Sequence, residues 1–164
     1  MPVKIDVDKT YDFNKNKSYR IIPNEQDDLL NLGLEKTNID KIVTKTIEEQ
    51  LATKGYQKSL ENPGLFVSYY LVTNAKTDVY FVDQYYTNLG YRSTPGRSNT
   101  RDSLKFQETT YEEGILIIDL IDASTNQRVW QGFLTSRVEV YKDEQKKERR
   151  LRNSIIKILS YLPQ

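Results

Sequence analysis

Ile115-Leu116-Ile117-Ile118-Asp119-Leu120-Ile121-Asp122 sets aliphatic side chains on both faces of an extended chain, interrupted by a single carboxylate before its end. A strand of that kind belongs in the middle of a sheet. A turn at Thr125-Asn126-Gln127 joins it to Val129 through Val140. In that second segment Trp130, Leu134, Val138 and Val140 face one way, and Gln131, Thr135, Arg137 and Glu139 the other. The pair reads as a β-hairpin around the central strand.

Leu65-Phe66-Val67-Ser68-Tyr69-Tyr70-Leu71-Val72, which follows a turn at Asn62-Pro63-Gly64, is likewise apolar on both faces and reads as a second interior strand. Asp78-Val79-Tyr80-Phe81-Val82 is expected to extend or re-enter the sheet. Near the start, Val3-Lys4-Ile5-Asp6-Val7-Asp8 alternates strictly, with Val3, Ile5 and Val7 inward and the charged residues on a solvated face. Beyond a polar turn at Asn14-Lys15-Asn16-Lys17, Ser18-Tyr19-Arg20-Ile21-Ile22 forms a short strand stopped by Pro23-Asn24. The two N-terminal strands are expected to lie together as a hairpin-like ribbon.

Two segments carry helical spacing instead. Ile39, Ile42, Val43, Ile47 and Leu51 recur along one stripe, with Asn38 as the expected N-cap and Gly55 in the position after the helix that favours positive φ. A final helix starts near Asp143 in a run of mixed charge and buries Leu151, Ile155, Ile158, Leu159 and Leu162 before Pro163. Each stripe is wide enough to bury one side only. The expected architecture is therefore α+β: a two-layer sandwich, a mostly antiparallel sheet with both helices on one face and the other face open. No internal repeat is present, and 164 residues suit a single domain over 1–164.

Composition narrows the chemistry. With 37% hydrophobic and 29% charged residues and a mean hydropathy of −0.68, the chain is polar yet has enough apolar residues for a core. It contains no His and no Cys, which removes the usual zinc sites, Cys and Ser-His nucleophiles, disulfides, His-ligated haem and iron–sulfur clusters. Neither a P-loop nor a dinucleotide glycine fingerprint occurs, and no cofactor is expected. A formal charge of +1 supplies no general attraction to nucleic acid, so none is expected as a partner. No apolar run is long enough to span a bilayer, and Met1-Pro2-Val3-Lys4-Ile5-Asp6 lacks the apolar core of a signal peptide.

Two groups of residues stand out as candidates. The stretch from about 84 to 107 is expected to be a long loop, and its Tyr85, Tyr86, Tyr91, Arg92, Arg97 and Arg101 offer stacking faces and bidentate donors for a ligand or partner. The plainer reading of those arginines is that they keep a long polar loop soluble. Asp119 shares its face with Ile115, Ile117 and Ile121, so it is expected to be buried with an Arg or Tyr partner, or to be a catalytic carboxylate of raised pKa. Asp6 and Asp8, two apart on one strand face, read as a solvated pair.

Several segments together resemble the bacterial family catalogued as domain of unknown function 4136, whose members are mostly lipoproteins. They are Asp8-Lys9-Thr10 with Asp12-Phe13, Lys17-Ser18-Tyr19, Leu51-Ala52-Thr53-Lys54-Gly55-Tyr56, Asn62 through Tyr69, Tyr111 through Ala123, and Val129-Trp130-Gln131-Gly132, with the Tyr161-Leu162-Pro163 ending. The resemblance implies export, an acylated Cys on the immature chain, and a periplasmic or outer-membrane address, with membrane attachment only through a lipid anchor that this chain does not carry. It implies no catalytic residues. The expected function is a non-enzymatic envelope module that binds an envelope protein, peptide or glycan through the open sheet face and the middle loop. The alternative is a carboxylate-dependent hydrolase or lyase of cell-wall or glycan material, with Asp119, Glu112 and Glu113 as the first suspects.

Overall fold

The computed structural model describes residues 3–24, 36–72, 113–137 and 144–163. Its elements, in chain order, are β1 (Val3–Val7), β2 (Ser18–Ile21), α1 (Lys36–Thr53), β3 (Gln57–Lys58), β4 (Leu65–Val72), β5 (Glu113–Asp122), β6 (Gln127–Arg137) and α2 (Glu144–Leu159). The strands form one sheet in the order β1-β6-β5-β4-β2-β3. β5 lies inside it between β6 and β4, antiparallel to both, as its two-faced apolar run requires.

The N-terminal ribbon does not form. β1 pairs antiparallel with β6 at one edge of the sheet, whereas β2 lies on the far side, parallel to β4 and β3. The reason is the helix: β2, α1 and β4 make a βαβ unit, whose crossover returns the chain parallel to its first strand. The sheet is therefore mixed, though mostly antiparallel.

Both helices lie on one face. Ile39, Val43, Ile47 and Leu51 of α1 and Ile155, Ile158 and Leu159 of α2 are fully buried with Leu65, Val67, Leu116, Ile118, Leu120, Trp130 and Leu134 of the sheet. The helices pack side by side, linked at the surface by Arg152 to Glu49 at 2.7 Å. Two lysines satisfy carbonyls where the helices end: Lys17 Nζ donates to Lys54 O at 3.2 Å and Lys54 Nζ to Leu162 O at 2.9 Å. α1 begins at Lys36, so Asn38 sits inside its first turn and is not the cap. Gly55 does close the helix, at φ +83°, with Gly55 N bonded to Ala52 O and Tyr56 N to Leu51 O.

The second face of the sheet is not open, contrary to the expectation. Ile115, Ile117, Ile121, Tyr70 and Phe133 alternate away from the helices and are all buried, and Ser68, Asp119 and Gln131 on the same side are buried with them. Isoleucines on both sides of a central strand demand cover on both sides.

Candidate functional site

Register brings polar residues of the buried second face into one row. Ser68 on β4 pairs with Asp119 on β5, Asp119 with Gln131 on β6, and Gln131 with Asp6 on β1. Asp119 is 1% exposed, so the expected burial holds. A β-bulge supplies a cation at the end of the row. Trp130 pairs with Leu120 but Arg128 pairs with Ile121, so Val129 is the extra residue, and the shift turns Arg128 onto the second face. There Arg128 is 2% exposed and its Nη2 lies 3.7 Å from Asp6 Oδ2.

Asp6 and Asp8 are not a solvated pair. Asp6 belongs to the row, while Asp8 is buried just past the strand and accepts from Thr10 N at 2.9 Å and Thr10 Oγ1 at 2.6 Å. The side-chain hydrogen bonds turn the chain out of β1, the usual task of an Asp at such a corner. Tyr85, Tyr86, Tyr91, Arg92, Arg97, Arg101 and Glu112 lie outside the described residues, as does the expected strand at 78–82. Glu113 stands at the start of β5, opposite Arg137 in register. No group of three or more acidic residues is placed to hold a metal ion among the described residues.

A recess that the sequence reading does not single out lies where β2 ends and α1 passes over it. It has a volume of about 350 Å³. Asp40, Thr44 and Glu48 line it from α1, one turn apart, on the flank of the stripe that packs into the core. Ile21, Ile22, Pro23 and Asn24 form its floor where the chain leaves β2, and Arg20, Lys58, Leu60 and Tyr69 complete the lining. The end of a parallel strand beside a crossover helix is a common place for ligands.

Hydrogen bonds tie the lining of the recess together. Asn24 Nδ2 donates to Tyr69 O at 2.8 Å, and the Tyr69 hydroxyl donates to Asp40 Oδ1. Lys58 Nζ donates to Glu48 Oε1 at 2.8 Å, and the Arg20 guanidinium stacks 5.0 Å from the Phe66 ring centroid. Acids thus line the helix side and Lys58 meets them from the strand side, while the Arg20 guanidinium lies with Phe66 on the second face of the sheet. Leu60, at 70% exposure, adds an apolar contact at the rim. Nearby, burial and the Glu48 carboxylate push the Tyr19 hydroxyl up to about 12.

The signature of a family described as Domain of unknown function (DUF4136) matches residues 3–164. No curated protein matches the chain. Among solved structures, a PDZ domain protein from Parabacteroides distasonis ATCC 8503 aligns with a TM-score of 0.55 at 17% identity, covering 99% of this chain and 36% of that one. The chain therefore spans about a third of that protein's length. PelC from Paraburkholderia phytofirmans, a dodecamer, aligns with a TM-score of 0.49 at 12% identity, over 98% of this chain and 97% of that one. The first of these likenesses is one of fold.

Proposed function

The chain belongs to the family of domain of unknown function 4136, and from that premise we propose that it is a non-catalytic cell-envelope module that binds a peptide segment of an envelope protein in the recess between β2 and α1. The observation that carries this reading is the mixed lining of the recess, where Asp40 and Glu48 of α1 and Lys58 lie beside the Ile21-Ile22-Pro23 stretch and the exposed Leu60. A short peptide bearing both charges around an apolar residue complements that arrangement, with Leu60 and the Ile21-Ile22-Pro23 floor receiving the apolar part. Asp40 is occupied by Tyr69 and Glu48 by Lys58, which suits anchoring better than proton transfer. Asp119 lies buried in the row on the other face of the sheet, away from the recess. No described helix is long and apolar enough to cross a membrane, so attachment in this reading falls to the acylated Cys typical of the family's lipoproteins. The Tyr and Arg residues of 84–107 remain part of the proposal as a second contact region.

The test is a pair of assays on the same preparation. A peptide array covering envelope proteins should yield binders with both charge signs, weakened about tenfold by Lys58→Glu, a loss comparable to one good charged contact. Isolated cell walls incubated with the chain should release no soluble sugar or peptide fragments. Fragment release that disappears in Asp119→Asn would overturn the reading in favour of a hydrolase.

A further inference from the structure

β1 leaves one edge of the sheet unpaired among the described residues, because its only ladder partner is β6. Within an antiparallel strand, the N–H and C=O of one residue point to the same side and alternate along the chain. Asp8 N donates to Val129 O at 2.8 Å, so Lys4, Asp6 and Asp8 turn their main-chain groups towards β6. Val3, Ile5 and Val7 turn theirs outward. The edge carries neither a proline nor a bulge, two of the devices that block edge pairing, and the charge of its exposed Lys4, a third, finds an opposite charge in the pairing argued below.

We propose that this edge is a homodimer interface in which β1 of two copies pair antiparallel about a two-fold axis at Ile5, joining two sheets into one. The sequence of β1 is self-complementary in that register. Val3 stands opposite Val7 of the second copy and Ile5 opposite its equivalent, all three with outward main-chain groups that can exchange hydrogen bonds. Lys4 stands opposite the copy's Asp6 on the second face, and the symmetry makes this pair twice. Lys4 is exposed and already reaches across the sheet surface, its Nζ 5.9 Å from the Phe133 ring centroid. Competing registers lose this match. Centring on Lys4 or on Asp6 sets like charges face to face, and a one-residue slip places aliphatic side chains opposite charged ones. Half-buried Val3, Ile5 and Val7 would also extend the helix-side apolar row from one copy into the next.

Sedimentation equilibrium of the full chain, combined with amide hydrogen exchange, tests the proposal. An interface of this length should give a weak dimer, populated at about 100 µM. Exchange at Ile5 and Val7 should slow as concentration rises. Lys4→Glu sets two like-charge pairs across the axis and should weaken the dimer about tenfold, whereas Lys4→Arg should leave it intact. Lys4 is exposed, so both variants should keep the wild-type melting temperature. A chain that is monomeric up to about 1 mM, a dimer untouched by Lys4→Glu, or concentration-dependent protection away from β1 would each overturn the proposal.

Discussion

A Cβ built on Gly132 would lie 2.6 Å from Cγ2 of Ile158 and 2.5 Å from Cη2 of Trp130. Glycine at this point of β6 is what lets α2 settle against the sheet with the indole between them. Gly132→Ala forces either the helix or the ring to move, at a cost of about 1–3 kcal/mol. Urea denaturation should show a lower midpoint with an unchanged slope, and an unchanged midpoint would contradict the close approach.

Side-by-side packing of the helices on one face has a sharper consequence. Leu51 and Ile155 are both fully buried, so Leu51→Asp or Ile155→Asp places an unpaired charge in the core. Each should cost about 4 kcal/mol or more. Wild-type thermal stability in either variant would refute the packing.

Two of the described arginine–carboxylate pairs should behave oppositely. Arg152 and Glu49 are both substantially exposed, and Arg152→Ala should change stability by no more than about 0.5 kcal/mol. Arg128 is buried beside Asp6, and Arg128→Ala should cost about 3 kcal/mol because it removes a buried cation from beside the carboxylates of the polar row. Equal effects in chemical denaturation would show that the bulge does not place Arg128 as described.

Alkaline pH should reveal the buried tyrosines. Burial first, and then the Glu48 charge for Tyr19 and the neighbouring Tyr11 for Tyr56, push both hydroxyls up to about 12 from the usual 10.0. The folded state then holds protons that the unfolded state releases, so stability is full below pH 10 and falls as pH rises towards 12. Tyr19→Phe should make that decline shallower in melting curves taken across the same range. The same slope in wild type and variant would show that Tyr19 contributes nothing to it.

Elements with a strong period were legible in the sequence. The 115–122 run, its hairpin with Trp130 and the two helical stripes needed only spacing to be recognised. Pairing partners were not legible, because β1 and β2 alternate alike whichever neighbour they join, and only the crossover through α1 sends them to opposite sides. The covered second face had a signal in the isoleucines at 115, 117 and 121, with which an open face is incompatible. Arg128 had none, since two residues from Trp130 it should share the helix side, and a one-residue bulge reverses that parity. Asp40, Thr44 and Glu48 lie outside the apolar stripe of α1, and nothing in their spacing sets them beside the chain leaving β2.

Binding in the recess is tested most directly by titrating the isotope-labelled chain with the tightest array peptide and following its amide resonances. The largest shifts should fall on Ile21, Ile22, Asn24, Asp40, Thr44 and Leu60, and Lys58→Glu should suppress them together. Shifts centred on Asp119 and Gln131, or on residues 84–107 with the recess silent, would contradict it.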